Sequence, residues 1–392
     1  MLALDADVLD RKLEMFASLG AELDLDVAYA GKALLVGALA KRLIGTSLSL
    51  DVCSLGELVV AERAGFPAAR IVMHGCGKSD EELSAAVAGR VGRLVIDHRT
   101  ELERLVELAS QARPLEVFLR VNSGIEAHTH AYVRTGGEDS KFGFALGDVV
   151  AASARVAQAR GLRLGGLHSH LGSQLFDEQP YRASLLAMLE VYAEARAGAT
   201  SLGEVIVGGG FGVDSRPGSP QSDPRAIVTS LAALNRERSS ELGMPPPRLG
   251  IEPGRAIVAE AGTSLYRVLA VKDQGSRRFV IIDGGLGDNP RPALYGAYHH
   301  PRLAAGRSSA ERQTTVCGRS CENDELVTAP LPSDIAAGDV LAFLTTGAYT
   351  FSMASNYNRF PRPALVFAGG GSHRAVVRRE SNEDLMRTDL HA

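Results

Sequence analysis

The sequence predicts a (β/α)8 barrel followed by an antiparallel β-sandwich-like domain. Eight short β-branched runs alternate with helical patterns over about 230 residues, which is the count and size of such a barrel. After about Arg255 the helical pattern stops, and apolar runs are joined by Gly, Pro and Asp turns. We therefore expect a barrel over residues 10–258 and a β domain over 259–392, with residues 1–9 as a candidate for completing the β domain.

The predicted barrel strands are rich in Val, Ile and Leu, and each ends beside a polar residue or glycine. In chain order they cover 27–33, 48–54, 70–76, 93–98, 116–122, 162–170, 204–210 and 248–255. Segments between them repeat apolar residues at helical spacing, as in 33–45, 55–66, 79–89 and 99–112. A doubly wound sheet is the alternative, but eight units and the lack of GxGxxG after the first strand favour the barrel.

The second part of the chain reads as strands with little helix. The predicted strands are 261–273, 277–287, 314–320, 324–332 and 338–349, and the core of this domain is expected to extend to about residue 367. The tail from 369 to 392 mixes glycine with charge, which favours partial disorder.

Net charge, apolar run length and the spacing of cysteines and histidines argue against several classes of function. A net charge of −4 without a basic block argues against nucleic acid as a partner. No apolar run is long enough to span a membrane, and acidic residues stand where a signal peptide has its positive region, so the cytoplasm is the expected location. A disulfide framework is not expected, because the chain is long and has only four cysteines: Cys53, Cys76, Cys317 and Cys321. A metal site is not expected either, because CGRSC (317–321) and the pairs His128/His130 and His299/His300 lack further ligands at matching spacing.

Polar residues follow the predicted barrel strands at the end where barrel enzymes carry their chemistry. They are Lys32, Asp51, His74, Asn122, His170, the glycines 208–210 and the segment 252–255. Each has a plain structural explanation when taken alone: Asp51 as a helix cap, His74 as a satisfied core histidine, and the glycines as turn residues. Together they predict one site.

This set has the groups that pyridoxal 5'-phosphate requires. Lys32 offers an amine for a Schiff base, and Glu252 can keep a pyridine nitrogen protonated. The glycines 208–210, with Ser173 and Gly254–Arg255, form a candidate phosphate site. His170 can stack on the cofactor ring.

Eleven motifs in chain order resemble the diaminopimelate decarboxylase family, one of the barrel-type pyridoxal phosphate decarboxylases that also include ornithine and arginine decarboxylases. The motifs are AYAGKAL, LDVCSLGEL, HGCGKSDEEL, RVNSGIEAHTH, TGGEDSKFGF, GLHSHLGSQ, VGGGFG, EPGR, RPALYGAYH, GRSCENDEL and TTGAYTFSMASNYN. The resemblance covers nearly the whole chain. It implies a barrel followed by a β-sandwich-like domain, a decarboxylase of lysine biosynthesis, and a head-to-tail homodimer with shared active sites.

The resemblance also implies roles for individual residues. As catalytic groups it implies Lys32 for the Schiff base, His170 for stacking on the ring and Cys321 for proton donation. Cofactor contacts are implied for Lys32, Asp51, His170, Ser173, Gly209, Gly210, Glu252, Gly254, Arg255 and Tyr349. Substrate contacts are implied for Arg255, Arg291, Tyr295, Glu322 and Tyr349. The segments with Cys321, Glu322 and Tyr349 are expected to cross the dimer interface.

Charge favours meso-diaminopimelate as the substrate. Its unreactive end carries a carboxylate, which Arg291 and Arg255 can pair with, and an ammonium, which Glu322 can bind. The chain departs from the usual YAFKAN or YAVKAN motif with YAGKAL. It also reads CENDE from Cys321 onward, where the family usually has serine or threonine before the acidic residue that follows CE. These departures indicate a divergent paralogue.

Other functions stay open. The main alternative is a paralogous decarboxylase of another carboxylated amino-acid intermediate, from a siderophore or antibiotic pathway, followed by one acting on ornithine, lysine or arginine. A barrel-type racemase is less favoured, because such enzymes place an arginine where Glu252 stands. A non-catalytic cofactor carrier would not need Cys321 and Glu322.

Overall fold

The computed structural model describes residues 1–109, 114–125, 140–307 and 309–390. The described chain forms two compact units, one of residues 13–212 with 222–254 and the other of residues 1–12, 213–221 and 255–392. The predicted domain boundary near residue 258 stays a prediction. The histidine pair 128/130 and parts of two motifs, RVNSGIEAHTH and TGGEDSKFGF, lie outside the described residues.

The first unit is a closed parallel barrel, as the sequence predicts. The chain starts with β1 (Leu2–Asp5) and α1 (Ala6–Leu23). The barrel strands are β2 (Asp26–Ala30), β3 (Ser49–Val52), β4 (Ile71–Met73), β5 (Arg93–Ile96), β6 (Leu115–Asn122), β8 (Leu162–His168), β9 (Glu204–Ile206) and β10 (Arg248–Ile251). Each of these strands pairs in parallel with the next, and β10 pairs with β2 to close the barrel. The short β7 (Phe144–Ala145) pairs only with β6 in the described sheet.

The helices between the strands have recognisable sequence signals at their ends. They are α2 (Gly37–Ile44), α3 (Leu55–Ala64), α4 (Asp80–Val87), α5 (Arg99–Ala109), α6 (Leu146–Ala157), α7 (Gln179–Arg196) and α8 (Pro224–Glu241). The Ser54 side chain caps α3, and Ser79 with Glu82 forms a reciprocal capping box on α4. Gly65 ends α3 in the left-handed conformation (φ 80°), which glycine adopts without strain.

The first strand is shorter than the sequence predicts. Strand β2 stops at Ala30, residues Gly31–Ala33 form a 3₁₀ turn, and α2 begins only at Gly37. The absence of a side chain at Gly31 permits this turn to lie against β3, since a Cβ there would be 2.6 Å from the Asp51 carbonyl oxygen. Lys32 is consequently exposed in the turn and does not bear the cost of burying an ammonium at a strand end.

Apolar side chains pack in the barrel interior, and charged side chains form ion pairs at its amino-terminal edge. Val72, Val95, Phe118 and Ile206 form one buried cluster from four strands. At the edge where the strands begin, Arg93 pairs with Asp26 and lies 3.2 Å from Glu204, and Arg248 is 3.3 Å from Glu204. Charges at this edge of a barrel stabilise the fold and leave the opposite edge for chemistry.

The second unit is built mainly from β-structure. Its elements are α9 (Arg255–Val258), β11 (Gly262–Gln274), β12 (Arg277–Ile282), α10 (Arg291–Tyr295), β13 (Pro301–Leu303), β14 (Glu311–Cys317), β15 (Glu325–Pro332), β16 (Val340–Phe343), β17 (Leu365–Gly369), β18 (Ser372–Val377) and α11 (Asn382–Met386). The sheet order is β15-β14-β12-β11-β1-β17-β18, and β16 pairs with β11 and β13. Most pairs are antiparallel, but β1–β17 and β12–β14 are parallel. The fold class therefore agrees with the prediction.

The two ends of the chain both enter this sheet. Strand β1 lies between β11 and β17, with Leu2 opposite Ser264 on one side and Leu365 on the other. Strand β18 pairs with β17 across Gly370 and Gly371, both left-handed, so the expected disorder of the tail is wrong for β18. Among the described helices, none is long and apolar enough to cross a membrane.

Candidate active site

The carboxyl edge of the barrel gathers several of the predicted site segments. Backbone hydrogen bonds join them in pairs: Ala30 N–H to Pro253 O at 3.1 Å, and Glu252 N–H to Gly208 O at 2.9 Å. On the next strands, His74 N–H donates to Val52 O at 2.8 Å. The ends of β2, β3, β4, β9 and β10 are thus held in register at this edge.

The carboxylate of Glu252 is the centre of a buried polar cluster. His168 Nε2 lies 3.0 Å from one carboxylate oxygen, and His74 Nε2 lies 3.2 Å from the other. His74 Nε2 is also 3.4 Å from Asp51 Oδ1. All four side chains are buried, so their charges act on one another with little screening by water.

These contacts shift the protonation equilibria in opposite directions. Burial by itself lowers the pKa of His74, but Glu252 and Asp51 outweigh it and raise the pKa to about 9. Burial lowers the pKa of His168 to about 4. Burial raises the pKa of Asp51 to about 6, and the neighbouring Glu252 adds to the rise. Burial opposes ionisation of Glu252, yet the two histidines hold its pKa well below the usual value. At neutral pH the cluster therefore holds an ionised Glu252 beside a protonated His74 and a neutral His168.

One Glu252 oxygen remains able to accept a proton donor. Within the described part of the chain, Glu252 Oε1 has no aligned hydrogen-bond partner, although His74 is within ion-pair distance. A buried, ionised carboxylate with a spare acceptor oxygen fits a protonated pyridine nitrogen. The ligand atoms of His74, His168 and Glu252 also lie within 4.8 Å of one another, close enough to hold a metal ion. The predicted absence of a metal stays a prediction.

The glycine turn after β9 packs backbone against backbone. Gly208 and Gly210 have left-handed φ angles of 75° and 97°. A Cβ on Gly210 would lie 2.3 Å from Gly172 O, and one on Gly209 would lie 2.0 Å from Glu252 O. Only glycine therefore permits this turn to lie so close to both neighbouring loops.

His170 and Ser173 lie on the loop that faces this turn. Gly209 N–H donates to His170 Nδ1 at 3.3 Å, and Leu175 N–H donates to Gly210 O at 2.9 Å. Burial lowers the pKa of His170 well below its usual value, with Lys32 as the next contributor, so the imidazole is neutral. A Cβ on Gly254 would lie 3.0 Å from the Cβ atoms of Ala30 and Ala33, so the EPGR segment packs on the strand and turn that carry Lys32.

In the β unit, two buried arginines surround a strained tyrosine. The guanidinium carbons of Arg255 and Arg291 lie 4.9 and 5.7 Å from the centroid of the Tyr349 ring, and Arg291 is 5.3 Å from that of Tyr295. Tyr349 has a left-handed φ of 60°, which a bulky residue keeps only when its surroundings enforce it. Burial, followed by the charge of Arg255, lowers the pKa of Arg291 to about 10.

The excess positive charge around Arg291 indicates an anion site. Of the residues that the structure describes, no carboxylate lies within ion-pair distance of Arg291, and its Nε has no hydrogen-bond partner. The nearby His299 is also buried, and burial followed by the charge of Arg291 lowers its pKa to about 4. A buried cation of this kind is stable when a ligand supplies the missing anion.

Cys321 and Glu322 lie on the loop between β14 and β15. Both are exposed, and over the described ranges neither forms a hydrogen bond or ion pair with Arg255, Arg291, Tyr295 or Tyr349. Their partners are instead residues of the segment 356–359, which is described below.

The structure thus brings the predicted site residues together in two groups. The barrel edge holds Lys32, Asp51, His170, Ser173, Gly209, Gly210, Glu252 and Gly254, and the β unit holds Arg255, Arg291, Tyr295 and Tyr349. The sequence analysis named His74 only as one of the polar residues that follow the predicted barrel strands, and it missed His168. The spacing of GLHSH contained the signal, because His168 and His170 are two residues apart and such side chains project to the same side of a strand.

Sequence comparison identifies the family. The family model described as "Pyridoxal-dependent decarboxylase, pyridoxal binding domain" matches residues 6–259. A diaminopimelate decarboxylase of Actinosynnema pretiosum subsp. auranticum is 42% identical over 94% of this chain and 84% of its own. The chain belongs to the diaminopimelate decarboxylase family. A second member, from Bacillus subtilis, is 40% identical over 95% of this chain and 87% of its own.

A solved structure of this family has the same fold. The Helicobacter pylori diaminopimelate decarboxylase complexed with L-lysine matches with a TM-score of 0.91 at 29% identity, covering 99% of this chain and 95% of that one. As a member of the family, this chain is a pyridoxal-dependent decarboxylase, which confirms the predicted recognition and enzyme class.

We predict that His74 stays protonated well above neutral pH. Its ¹⁵N resonances, assigned with His74→Gln, should titrate near pH 9, and Asp51→Asn should lower that midpoint by about one unit because one counter-charge is lost. Since the folded-state pKa is raised, proton binding by His74 stabilises the fold fully below its ordinary pKa of about 6.5, and this contribution is lost as pH rises through about 9. His168 is the internal control and should not titrate in this range. A His74 midpoint near 6.5 would contradict the assignment.

Proposed function

We propose that the chain decarboxylates meso-diaminopimelate to L-lysine with pyridoxal 5'-phosphate at the carboxyl edge of the barrel. Membership of the family and its L-lysine-complexed relative support the reaction. The observation that carries the cofactor assignment is the buried, ionised Glu252, whose Oε1 lies 3.2 Å from His74 but has no aligned hydrogen-bond partner among the described residues. The cytoplasmic location expected from the sequence stays a prediction.

The barrel residues fit the cofactor by chemical type. Lys32, exposed in its turn, would hold the aldehyde carbon, and the backbone of Gly209, Gly210 and Gly254 with the Ser173 hydroxyl would hold the phosphate. Neutral His170 offers an uncharged face for stacking on the ring, and Asp51 acts through His74. When bound, pyridoxal phosphate supplies an electron-poor ring that accepts the electron pair left when CO₂ departs.

Glu252 makes this electron acceptance possible. An ionised carboxylate that accepts a hydrogen bond from the ring nitrogen keeps that nitrogen protonated, which a racemase-type arginine would not do. His74 and His168 maintain the ionised state of Glu252 despite its burial. The racemase alternative is disfavoured on this ground.

Cys321 is the proposed proton donor. After CO₂ leaves, the α-carbon must gain a proton, which a thiol can supply as a general acid. Its exposed position on the β14–β15 loop leaves the sulfur open to a ligand.

Charged side chains of the protein are complementary to the carboxylate and the ammonium at the distal end of the substrate. Arg291, with Arg255 and the Tyr349 and Tyr295 rings around it, would bind the distal carboxylate, and Glu322 would bind the distal ammonium. Lysine and ornithine lack that carboxylate and would leave the buried Arg291 without an anion. Another carboxylated amino-acid intermediate remains the second candidate, because Arg291 would bind its carboxylate equally.

We predict that the purified chain with cofactor releases CO₂ from meso-diaminopimelate in preference to lysine, ornithine and arginine. Arg291→Ala should weaken transition-state binding of diaminopimelate by about 2–5 kcal/mol, because a desolvated carboxylate loses its partner, and should barely change the slow turnover of lysine. The exposed Arg302 provides the control, since Arg302→Ala should change neither activity. Equal losses on both substrates with Arg291→Ala would exclude a role in reading the distal carboxylate.

We predict that the cofactor attaches to Lys32. Borohydride treatment of the cofactor-loaded protein, followed by peptide mapping, should place the label on Lys32, and Lys32→Ala should abolish it. The control is Lys78, which is buried and donates to Glu101 at 2.9 Å and to two backbone carbonyls. Label on Lys78 or Lys141 in the wild-type protein would disprove the attachment site.

We further propose a homodimer with shared active sites, in which Cys321 and Glu322 serve the barrel of the partner subunit. Both are exposed in the single chain, where Cys321 forms a hydrogen bond with Asn358 and Glu322 forms one with Tyr357. The resemblance to the family supports the same arrangement.

We predict that Lys32→Ala and Cys321→Ala, each inactive alone, recover activity when mixed. Random exchange of subunits gives half hybrid dimers, each with one intact site, so roughly a quarter of wild-type activity should return. Mass spectrometry of isotope-labelled chains verifies that subunits exchange. If hybrids form without any recovered activity, each site is complete within one chain.

A further inference from the structure

The turn at 356–359 contacts both Cys321 and Glu322. Asn358 Oδ1 accepts a hydrogen bond from Cys321 N–H at 3.1 Å, and the adjacent Tyr357 hydroxyl donates to Glu322 Oε1 at 2.5 Å. Two neighbouring residues of one turn therefore hold the two neighbouring residues to which the proposed function gives proton donation and ammonium binding.

The backbone of this turn is strained at two successive positions. Asn358 and Arg359 have φ angles of 52° and 56°, in the left-handed region that side chains other than glycine avoid. Asparagine tolerates this region better than most residues, but arginine does not. Strain of this kind persists when the surrounding contacts fix the turn, and it is concentrated at functional sites.

Several contacts fix the turn from outside. The Asn356 amide donates to Phe360 O at 3.1 Å and to Glu380 Oε2 at 2.6 Å. Ser355 N–H donates to Gly287 O at 2.7 Å. Arg359 donates to Leu385 O at 2.7 Å, a contact that involves neither Tyr357 nor Asn358. The turn is a rigid support although its side chains are exposed.

The loop that carries Cys321 is anchored on its other side by Asp324. The buried Asp324 carboxylate accepts hydrogen bonds from Leu286 N–H at 2.8 Å and from the Ser320 hydroxyl at 2.7 Å. Asp324 N–H in turn donates to Glu322 O at 2.8 Å. These contacts hold the backbone next to Cys321 and Glu322. Asn358 then holds the Cys321 N–H, and Tyr357 holds the Glu322 carboxylate.

We propose that Tyr357 and Asn358 are positioning residues, with Tyr357 orienting the Glu322 carboxylate toward the distal ammonium of the substrate and Asn358 orienting Cys321 toward the α-carbon. This inference rests on the proposed function for the roles of Cys321 and Glu322. The Tyr357 hydroxyl occupies one carboxylate oxygen and leaves the other for the ammonium. Because Tyr357 acts on substrate binding and Asn358 on proton donation, we expect substitutions of Tyr357 to change KM and substitutions of Asn358 to change kcat.

Tyr357→Phe removes only the hydroxyl. It should raise KM for meso-diaminopimelate roughly 3- to 10-fold and change kcat less than about 2-fold, because one hydrogen bond that orients the binding carboxylate is lost. Asn358→Gly removes the acceptor yet keeps the left-handed φ without strain, and should lower kcat roughly 3- to 10-fold. Asn358→Asp keeps an acceptor oxygen and should restore kcat to within about 2-fold of wild type.

Arg359→Gly is the matched control, because it relieves the same backbone strain in the same turn and removes contacts with the C-terminal segment only. It should leave KM and kcat within about 2-fold of wild type. A change as large as that of Asn358→Gly would show that the turn backbone, and not the Asn358 side chain, is responsible, and would overturn the proposal. So would a Tyr357→Phe enzyme with unchanged KM.

Two measurements that do not involve catalysis separate this inference from the proposed function. Alkylation of Cys321 by iodoacetamide, followed by peptide mass, should change at least about 3-fold in Asn358→Gly and return to the wild-type rate in Asn358→Asp. Hydrogen exchange of the peptide spanning 319–325 should accelerate in Tyr357→Phe and not in Arg359→Gly. If wild type does not decarboxylate diaminopimelate, the proposed function fails, while these two results still decide the positioning role. Unchanged alkylation and exchange in all variants would refute it.

Discussion

The buried carboxylate of Glu252 is the constraint on which the carboxyl edge of the barrel depends. A carboxylate at this depth is stable only when neighbouring groups supply protons or positive charge. His168, in β8, and His74, one residue after β4, supply them, and Asp51, in β3, lies 3.4 Å from His74 Nε2. These groups are far apart in sequence, so a closed barrel in the correct register is required to bring each of them within 3.4 Å of a neighbour in the cluster.

The two edges of the barrel differ in how fully their charged side chains are paired. At the amino-terminal edge, Arg93 lies between Asp26 and Glu204, and every one of these charges has an opposite partner. At the carboxyl edge, Glu252 and Asp51 keep oxygens without aligned hydrogen bonds among the described residues. Unsatisfied buried acceptors lower stability, and a protein retains them where a ligand completes them. This asymmetry places the chemistry at one edge on physical grounds that are independent of family resemblance.

The fold was largely predictable because its signals are local. Apolar periodicity and short β-branched runs identify the alternating units without reference to the rest of the chain. The errors lie where tertiary packing decides. Strand β18 has the sequence SHRAVV, with four exposed residues followed by two half-buried ones and no alternation of apolar and polar residues, so only its pairing with β17 reveals it. The site was predictable as a set of residue types, but the protonation of His74 and the contacts of Tyr357 depend on distances that no sequence pattern encodes.

In the segment YAGKAL, which departs from the usual family motif, backbone packing at Gly31 affects the position of Lys32. The usual family motif has a bulky residue where Gly31 stands, and a Cβ at Gly31 would lie 2.6 Å from the Asp51 carbonyl oxygen, closer than packed atoms permit. A larger residue would therefore push the Gly31–Ala33 turn away from β3. In this chain the turn lies against the strand that carries Asp51, and Lys32 enters the electrostatic surroundings of Asp51 and His170. The substitution thus adjusts the position of the lysine relative to the acid–histidine cluster, while the chemistry of that cluster is retained.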